Sequence, residues 1–270
     1  MLICFALLFV LMFYKQGVPV SELQAQYMQP GSDFLTVEGV NVHYRVTGRD
    51  SAPVVVLLHG VASSLHTWNG WHQELSSDFK VISLDLPGFG LTGPFPQGTV
   101  YSFEKYIQVI DGLMQYLNVE KAHIAGNSFG GGLAWRYSLA RPAKVDKLIL
   151  LDAAGLADQV AHKLSDINIG FFLSTLPLIK RISWFVTPKF LVKASVRNVY
   201  ADQSLVTNEL VSRYYDLLTR EGNRRAFSSI LSLTRGSHAN SDLIRQVAVP
   251  TFIMWGLKDR LHPLAEGEIF

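Results

Sequence analysis

The sequence predicts an α/β protein: a doubly wound, mostly parallel sheet interrupted late in the chain by an all-helical insertion. Three observations predict it. Apolar β-like runs alternate with amphipathic helical patterns through most of residues 30–155, the order that crossover connections give a parallel sheet. Over residues 156–221 the strands stop, and helical patterns punctuated by Pro177 and Pro188 remain. The chain has 270 residues and a hydrophobic share of 49%, enough for one large folding unit with an excursion.

Taken in order, residues 1–14 form an unbroken apolar or aromatic run, followed by Lys15, Gln16, Gly17 and Pro19. The run is shorter than the roughly 20 residues that span a bilayer, and no basic residue precedes it. No ordinary core opens this way, so residues 1–20 are expected to be a single N-terminal membrane anchor, with an export signal, cleaved or uncleaved, or a buried helix as the alternatives. A polar linker is expected over 22–32. Alternation over 34–46, broken at Glu38 and Gly39, predicts an antiparallel hairpin.

Residues 53–58 are apolar at every position, as in a central strand covered on both faces. Trp68, Trp71 and Leu75 mark a short helix, and residues 81–85 the next strand. Between Ser102 and Leu117, apolar residues recur at three and four residue spacings with Ser102 as N-cap. A strand and a helix flank Ser128, and residues 145–151 give another buried strand. After the insertion come helical patterns at 224–233 and 241–246 and a strand at 250–255. The core is thus expected at 30–155 and 222–270.

A formal net charge of +2 gives no reason to expect a nucleic-acid partner. Cys4 is the only cysteine, so no intrachain disulfide can form. No His, Cys and Asp cluster has ligand spacing, so no metal or organic cofactor is implied.

Chemistry converges on Gly126-Asn127-Ser128-Phe129-Gly130. A strand hands over to a helix through a tight turn, small residues flank the serine, and the helix start aims free N–H groups at whatever the hydroxyl attacks. Leu57-Leu58-His59-Gly60, Asp85-Leu86-Pro87-Gly88-Phe89-Gly90 and Trp255-Gly256-Leu257-Lys258-Asp259 each close an apolar run. In this order, over residues 33–263, the motifs resemble the α/β-hydrolase superfamily, in its lid-bearing esterase, lipase and C–C hydrolase branch.

The resemblance implies the α/β-hydrolase fold, with residues 156–221 as a helical lid. It implies Ser128 as nucleophile, the backbone N–H groups of Val61 and Phe129 as an oxyanion hole, and Asp259 as the acid that orients a base, with Asp152 as alternative. His59 is expected to brace its loop and Asp85 to hold a turn.

In such proteins the histidine follows the acid after one more strand, and this sequence has no such segment. His262 lies three residues beyond Asp259 and is expected to be badly placed; His238 and His123 fit less well. The implied reading is a chain truncated at its C-terminus, lacking the last strand, helix and histidine, with little turnover and an exposed sheet edge at 250–255. Its expected reaction is hydrolysis of a small or medium apolar ester through an acyl-enzyme. Alternatives are C–C bond hydrolysis or a catalytically dead binding protein. Burial of a lid face on the core accounts for most of the lid residues Phe171, Phe172, Leu173, Leu176, Leu178, Ile179, Trp184, Phe185 and Val186, with a wall of the substrate pocket or contact with a membrane surface as the functional alternatives.

Overall fold

The computed structural model describes residue 8 and residues 10–155, 177–236 and 241–270. Seven strands form one sheet: β1 (Ser32–Val37), β2 (Val40–Thr47), β3 (Val54–Leu58), β4 (Lys80–Leu84), β5 (Ala122–Asn127), β6 (Val145–Leu151) and β7 (Thr251–Met254). They lie in the order β1-β2-β4-β3-β5-β6-β7. β1 and β2 form the antiparallel hairpin, turning at Glu38 and Gly39, both with positive φ. β2 meets β4 antiparallel, and β4, β3, β5, β6 and β7 run parallel. The doubly wound, mostly parallel sheet is therefore present, with a mixed edge.

Among the described residues the helices include, in chain order, α1 (Val20–Tyr27), α2 (Asn69–Leu75), α3 (Phe103–Tyr116), α4 (Phe129–Ala140), α5 (Pro177–Ser183), α6 (Lys189–Val199), α7 (Asn208–Thr219), α8 (Asn223–Gly236), α9 (Ser241–Ile244) and α10 (Leu264–Gly267). α3 starts where the spacing places it, since the Ser102 side chain accepts from Lys105 N at 3.3 Å. Its apolar stripe, Tyr106, Ile107, Ile110, Leu113 and Met114, packs with α4 in a core that holds Val56 and Leu58 of β3. The alternate β3 residues, Val55 and Leu57, face a second cluster with Trp68 and, from α2, Trp71 and Leu75. Period-two side-chain alternation thus explains why β3 is apolar throughout.

Within the helical region, α6 and α7 share Val192, Val196 and Val211. Thr207 caps α7 by accepting from Leu210 N at 3.1 Å. The helix expected over 167–173, together with Phe171, Phe172, Leu173 and Leu176, lies outside the described residues.

The N-terminal expectation is corrected. Among the described residues no helix is long and apolar enough to cross a membrane, so neither the anchor at 1–20 nor a transmembrane helix is supported. The helical turn over 10–13 ends at Tyr14, which bridges Val186. Its aromatic side chains find partners in the helical region instead: Phe13 meets Phe190 edge-on and Tyr14 stacks on Phe185. Lys15 N donates to Phe185 O, Val18 N to Thr219 O and Glu221 N to Val18 O. The expected polar linker at 22–32 also differs, because Pro19 opens α1 and Leu23 and Tyr27, four residues apart, bury against Leu91 and Leu217.

β7 is a sheet edge, and Phe252, Ile253 and Met254 are 57%, 37% and 51% exposed.

Candidate active site

Ser128 stands between β5 and α4 with φ 50° and ψ −117°, a conformation that L-residues adopt only when their surroundings enforce it. Its N donates to Leu151 O at 3.0 Å, and its O accepts from Gly132 N and Ala154 N, both at 2.9 Å. A Cβ on Gly126 would run into the Gly130 carbonyl, and one on Gly130 into the carbonyls of Leu58 and His59. The small residues are thus required by close backbone approach, as the motif predicts.

Ser128 opens onto a cavity of about 660 Å³. Val61, Ala62, Asn127 and Asp152 line it from the sheet, Val186, Leu191, Val192 and Val196 from the helical region, and Val10 from the N-terminus. Of the lid residues, Ile179 and Val186 line it; Phe185 turns out to the Tyr14 ring, and Trp184 donates to Ser228 Oγ at 3.4 Å.

Val61 N and Phe129 N are engaged by no hydrogen bond among the described residues, which leaves both free as donors. The Val61 loop is held by His59, fully buried, whose Nδ1 donates to Gly60 O at 2.7 Å while Nε2 accepts from Leu86 N at 2.9 Å. Burial pushes its pKa down, so it stays a neutral strut. Asp85, also fully buried, accepts from Leu65 N, Leu91 N and His43 Nδ1.

Asp259 lines the cavity, but its carboxylate serves the backbone: Oδ1 accepts from Leu261 N at 2.7 Å and His262 N at 2.9 Å. Asp152, at φ 45°, accepts from Gly256 N at 2.7 Å. Burial raises its pKa, an effect the nearby Asp259 charge adds to and the Gly256 hydrogen bond opposes.

His262, expected to be badly placed for bridging Asp259 and Ser128, lines the cavity. Its Nε2 lies 3.4 Å from Ser128 Oγ, and its Nδ1 lies 2.9 Å from Glu266 Oε2. Trp255 Nε1 donates to the His262 carbonyl at 2.8 Å and fixes the turn. The glutamate, fully buried at the end of α10, was missed. The available signal was the i, i+4 spacing of His262 and Glu266 behind Pro263, which puts both on one face of a helical turn.

Burial works against a charged His262 ring, but the hydrogen bond and charge of Glu266, with the charges of Asp259 and Asp152, outweigh it and hold the pKa above its ordinary value. His123 sits at the start of β5 with its Nδ1 3.3 Å from Asp146, away from the cavity. His238 lies outside the described residues.

Arg224 of α8 also lines the cavity and is 7% exposed. Its Nη2 donates to Lys15 O at 2.6 Å, its Nη1 has no hydrogen-bond partner, and no carboxylate pairs with it among the described residues. Burial lowers its pKa.

A family model described as alpha/beta hydrolase fold matches residues 53–270. A 2-hydroxy-6-oxo-2,4-heptadienoate hydrolase of Pseudomonas putida is 31% identical over 219 residues, 78% of this chain and 73% of that protein. An uncharacterized protein of Mycobacterium tuberculosis is 30% identical over 252 residues, 89% of this chain and 71% of its own length. Among solved structures, a mutant meta-cleavage product hydrolase from Pseudomonas fluorescens, complexed with acetates, superposes with a TM-score of 0.71 at 28% identity, covering 88% of this chain and 84% of that one.

Proposed function

The chain belongs to the alpha/beta hydrolase fold family, and from that premise we propose that it hydrolyses a carbon–carbon bond beside a ketone in a small unsaturated hydroxy-oxo acid. Ser128 is the nucleophile in this reading. The Pseudomonas putida relative is named as a hydrolase of such an acid and the Pseudomonas fluorescens one as a meta-cleavage product hydrolase, and this favours the reading over the plain apolar ester expected from the sequence.

The observation that carries it is the pairing, in one largely apolar cavity, of the strained Ser128 with the buried guanidinium of Arg224, which has no carboxylate partner among the described residues. A buried cation without a counter-ion is costly. A substrate carboxylate offsets that cost and fixes the acid end of the substrate, leaving its apolar body along the valines of α6. An uncharged ester has no use for the arginine.

The attack runs as follows. Ser128 Oγ bonds to the ketone carbon while the carbonyl electron pair moves onto oxygen, where Val61 N–H and Phe129 N–H receive it. With the dienol in its keto form, its hydroxyl proton moved to the carbon beside the ketone, the oxyanion re-forms the carbonyl and the C–C bond breaks; its electron pair passes through the remaining double bond onto the 2-oxo oxygen, which takes up the proton lost by Ser128. Water releases the acyl group as a carboxylic acid. Asp259 and Asp152 hold the loop behind the serine.

The test is incubation of purified protein with 2-hydroxy-6-oxo-2,4-heptadienoate, following loss of dienol absorbance and identifying both products by mass spectrometry. A matched nitrophenyl ester runs alongside. The expected result is cleavage of the dienoate with kcat/KM well above the ester's, abolished in Ser128→Ala. Arg224→Met should raise KM for the dienoate at least tenfold and leave the ester's unchanged. Ester turnover without any dienoate cleavage overturns the proposal.

A further inference from the structure

Resting on Arg224 as the group that receives the substrate carboxylate, we propose that residues 14–18 are a substrate-positioning strap, whose Lys15 carbonyl holds the Arg224 guanidinium at the cavity wall and leaves its charge for the ligand. The two residues are 209 positions apart in the chain. An N-terminal segment thereby sets how tightly a residue of α8 binds an anion.

The strap is fixed on both sides of that carbonyl. Upstream, Tyr14 bridges Val186 antiparallel, and Lys15 N donates to Phe185 O at 2.8 Å. Downstream, Val18 N donates to Thr219 O at 3.0 Å and Val18 O accepts from Glu221 N at 2.9 Å. Side chains add to this hold: the Tyr14 ring stacks on Phe185, and Lys15 Nζ lies 4.7 Å from the centre of the Tyr215 ring, close enough for cation–π attraction. Between the two attachments, Gly17 passes so near the turn joining α7 to α8 that a Cβ on it would sit 2.8 Å from Glu221 Cα. A carbonyl on so confined a path has little freedom, and it accepts from Arg224 Nη2 at 2.6 Å. Val10, a few residues upstream, lines the same cavity as Arg224.

The chemistry of the acceptor fits the role. A guanidinium keeps its proton and presents five N–H donors. A carboxylate partner would orient it and neutralise it; a backbone carbonyl orients it and leaves the charge whole. Among the described residues no carboxylate pairs with Arg224, and its Nη1 has no hydrogen-bond partner. Arg224 is also the second residue of α8, where the positive end of the helix dipole opposes a cation. Burial, the lack of a counter-ion and the dipole all act against the charge. A carboxylate arriving from solution relieves all three. Holding one Nη beforehand leaves the long side chain less freedom to lose when that carboxylate binds.

The experiment measures binding and needs no turnover. Hexa-2,4-dienoate and its primary amide share a shape and differ in charge. Each is titrated by ligand-observed NMR into Ser128→Ala protein, alone and combined with Arg224→Met, Gly17→Val, Tyr14→Ala, or Gly17→Val and Arg224→Met together, with a melting curve for every variant. Arg224→Met should raise the dienoate Kd at least tenfold. Gly17→Val, which pushes the strap off Glu221, and Tyr14→Ala, which removes the stack on Phe185, should each raise it at least fivefold while changing the amide Kd less than twofold. In the Arg224→Met background Gly17→Val should add less than twofold, because the strap acts through the arginine. Tyr14→Ala leaves the backbone contacts in place and carries the test should Gly17→Val fail to fold.

Strap variants that bind the dienoate like their parent, while Arg224→Met does not, overturn the strap and leave the arginine reading standing. Equal losses of dienoate and amide in the strap variants also overturn it, since a collapsed cavity wall has no preference for charge. Unaltered dienoate binding in Arg224→Met removes the arginine reading and the strap with it. If the hydroxy-oxo acid is not cleaved yet dienoate binding follows both the strap and the arginine, the reaction reading fails and the strap stands.

Discussion

Ser128 holds a positive φ because the two glycines flanking it let the strand, the turn and the helix touch backbone to backbone. A methyl at Gly130 would meet the Leu58 and His59 carbonyls, which belong to the sheet and cannot withdraw. Gly130→Ala should cost about 1–3 kcal/mol by overpacking, read as a lowered denaturant midpoint, and should reduce Ser128 labelling by a fluorophosphonate probe with it. This residue was legible because its backbone demand leaves a trace in its neighbours. His262 and Glu266 were not, because their partnership depends on a loop whose direction is set by Asp259 and Trp255 contacts that spacing does not encode.

Among the elements, strands and sheet helices were legible from period and caps, while α1 was hidden. Its composition is polar, and only the pairing of Leu23 and Tyr27 with Leu91 and Leu217 makes it a helix worth forming. β7 shows the opposite case. Its exposed edge was expected, and all four of its residues are more than a third exposed beyond β6. Unpaired edges of this kind recruit other strands. Ile253→Lys should therefore reduce self-association, seen by light scattering against time at 37 °C, with little change in melting temperature.

Across the whole molecule, acid sensitivity follows from three buried groups. Burial holds His66 and His72 down to about 4. Between 6.5 and 4 the unfolded chain binds protons that the folded chain refuses, so stability falls as pH drops. Each residue contributes on the order of 3 kcal/mol of this loss. Asp85 extends it: burial opposes its ionisation, but the adjacent His43 outweighs that and holds it at about 2. Its stabilisation is present above the ordinary 3.8 and is lost as pH falls through about 2.

Urea midpoints measured from pH 7 to 2 should decline throughout that window. Asp85→Asn should lower the stability at neutral pH by about 3–5 kcal/mol, read as a lower urea midpoint, and flatten the decline below 4. The mostly parallel sheet was legible at this scale. The residues that close the cavity from the N-terminus were not, since aromatic stacking between distant segments has no local pattern.

That closure fixes the order in which the protein can be completed. Residues 14–18 leave the ribosome well ahead of the groups they bond to, Phe185, Thr219, Glu221 and Arg224. Until then, Phe13 and Tyr14 have no native surface to cover them. Docking of the opening segment is a late, long-range event in biosynthesis, and a nascent chain stalled before α7 should carry that segment open to a chaperone or a protease.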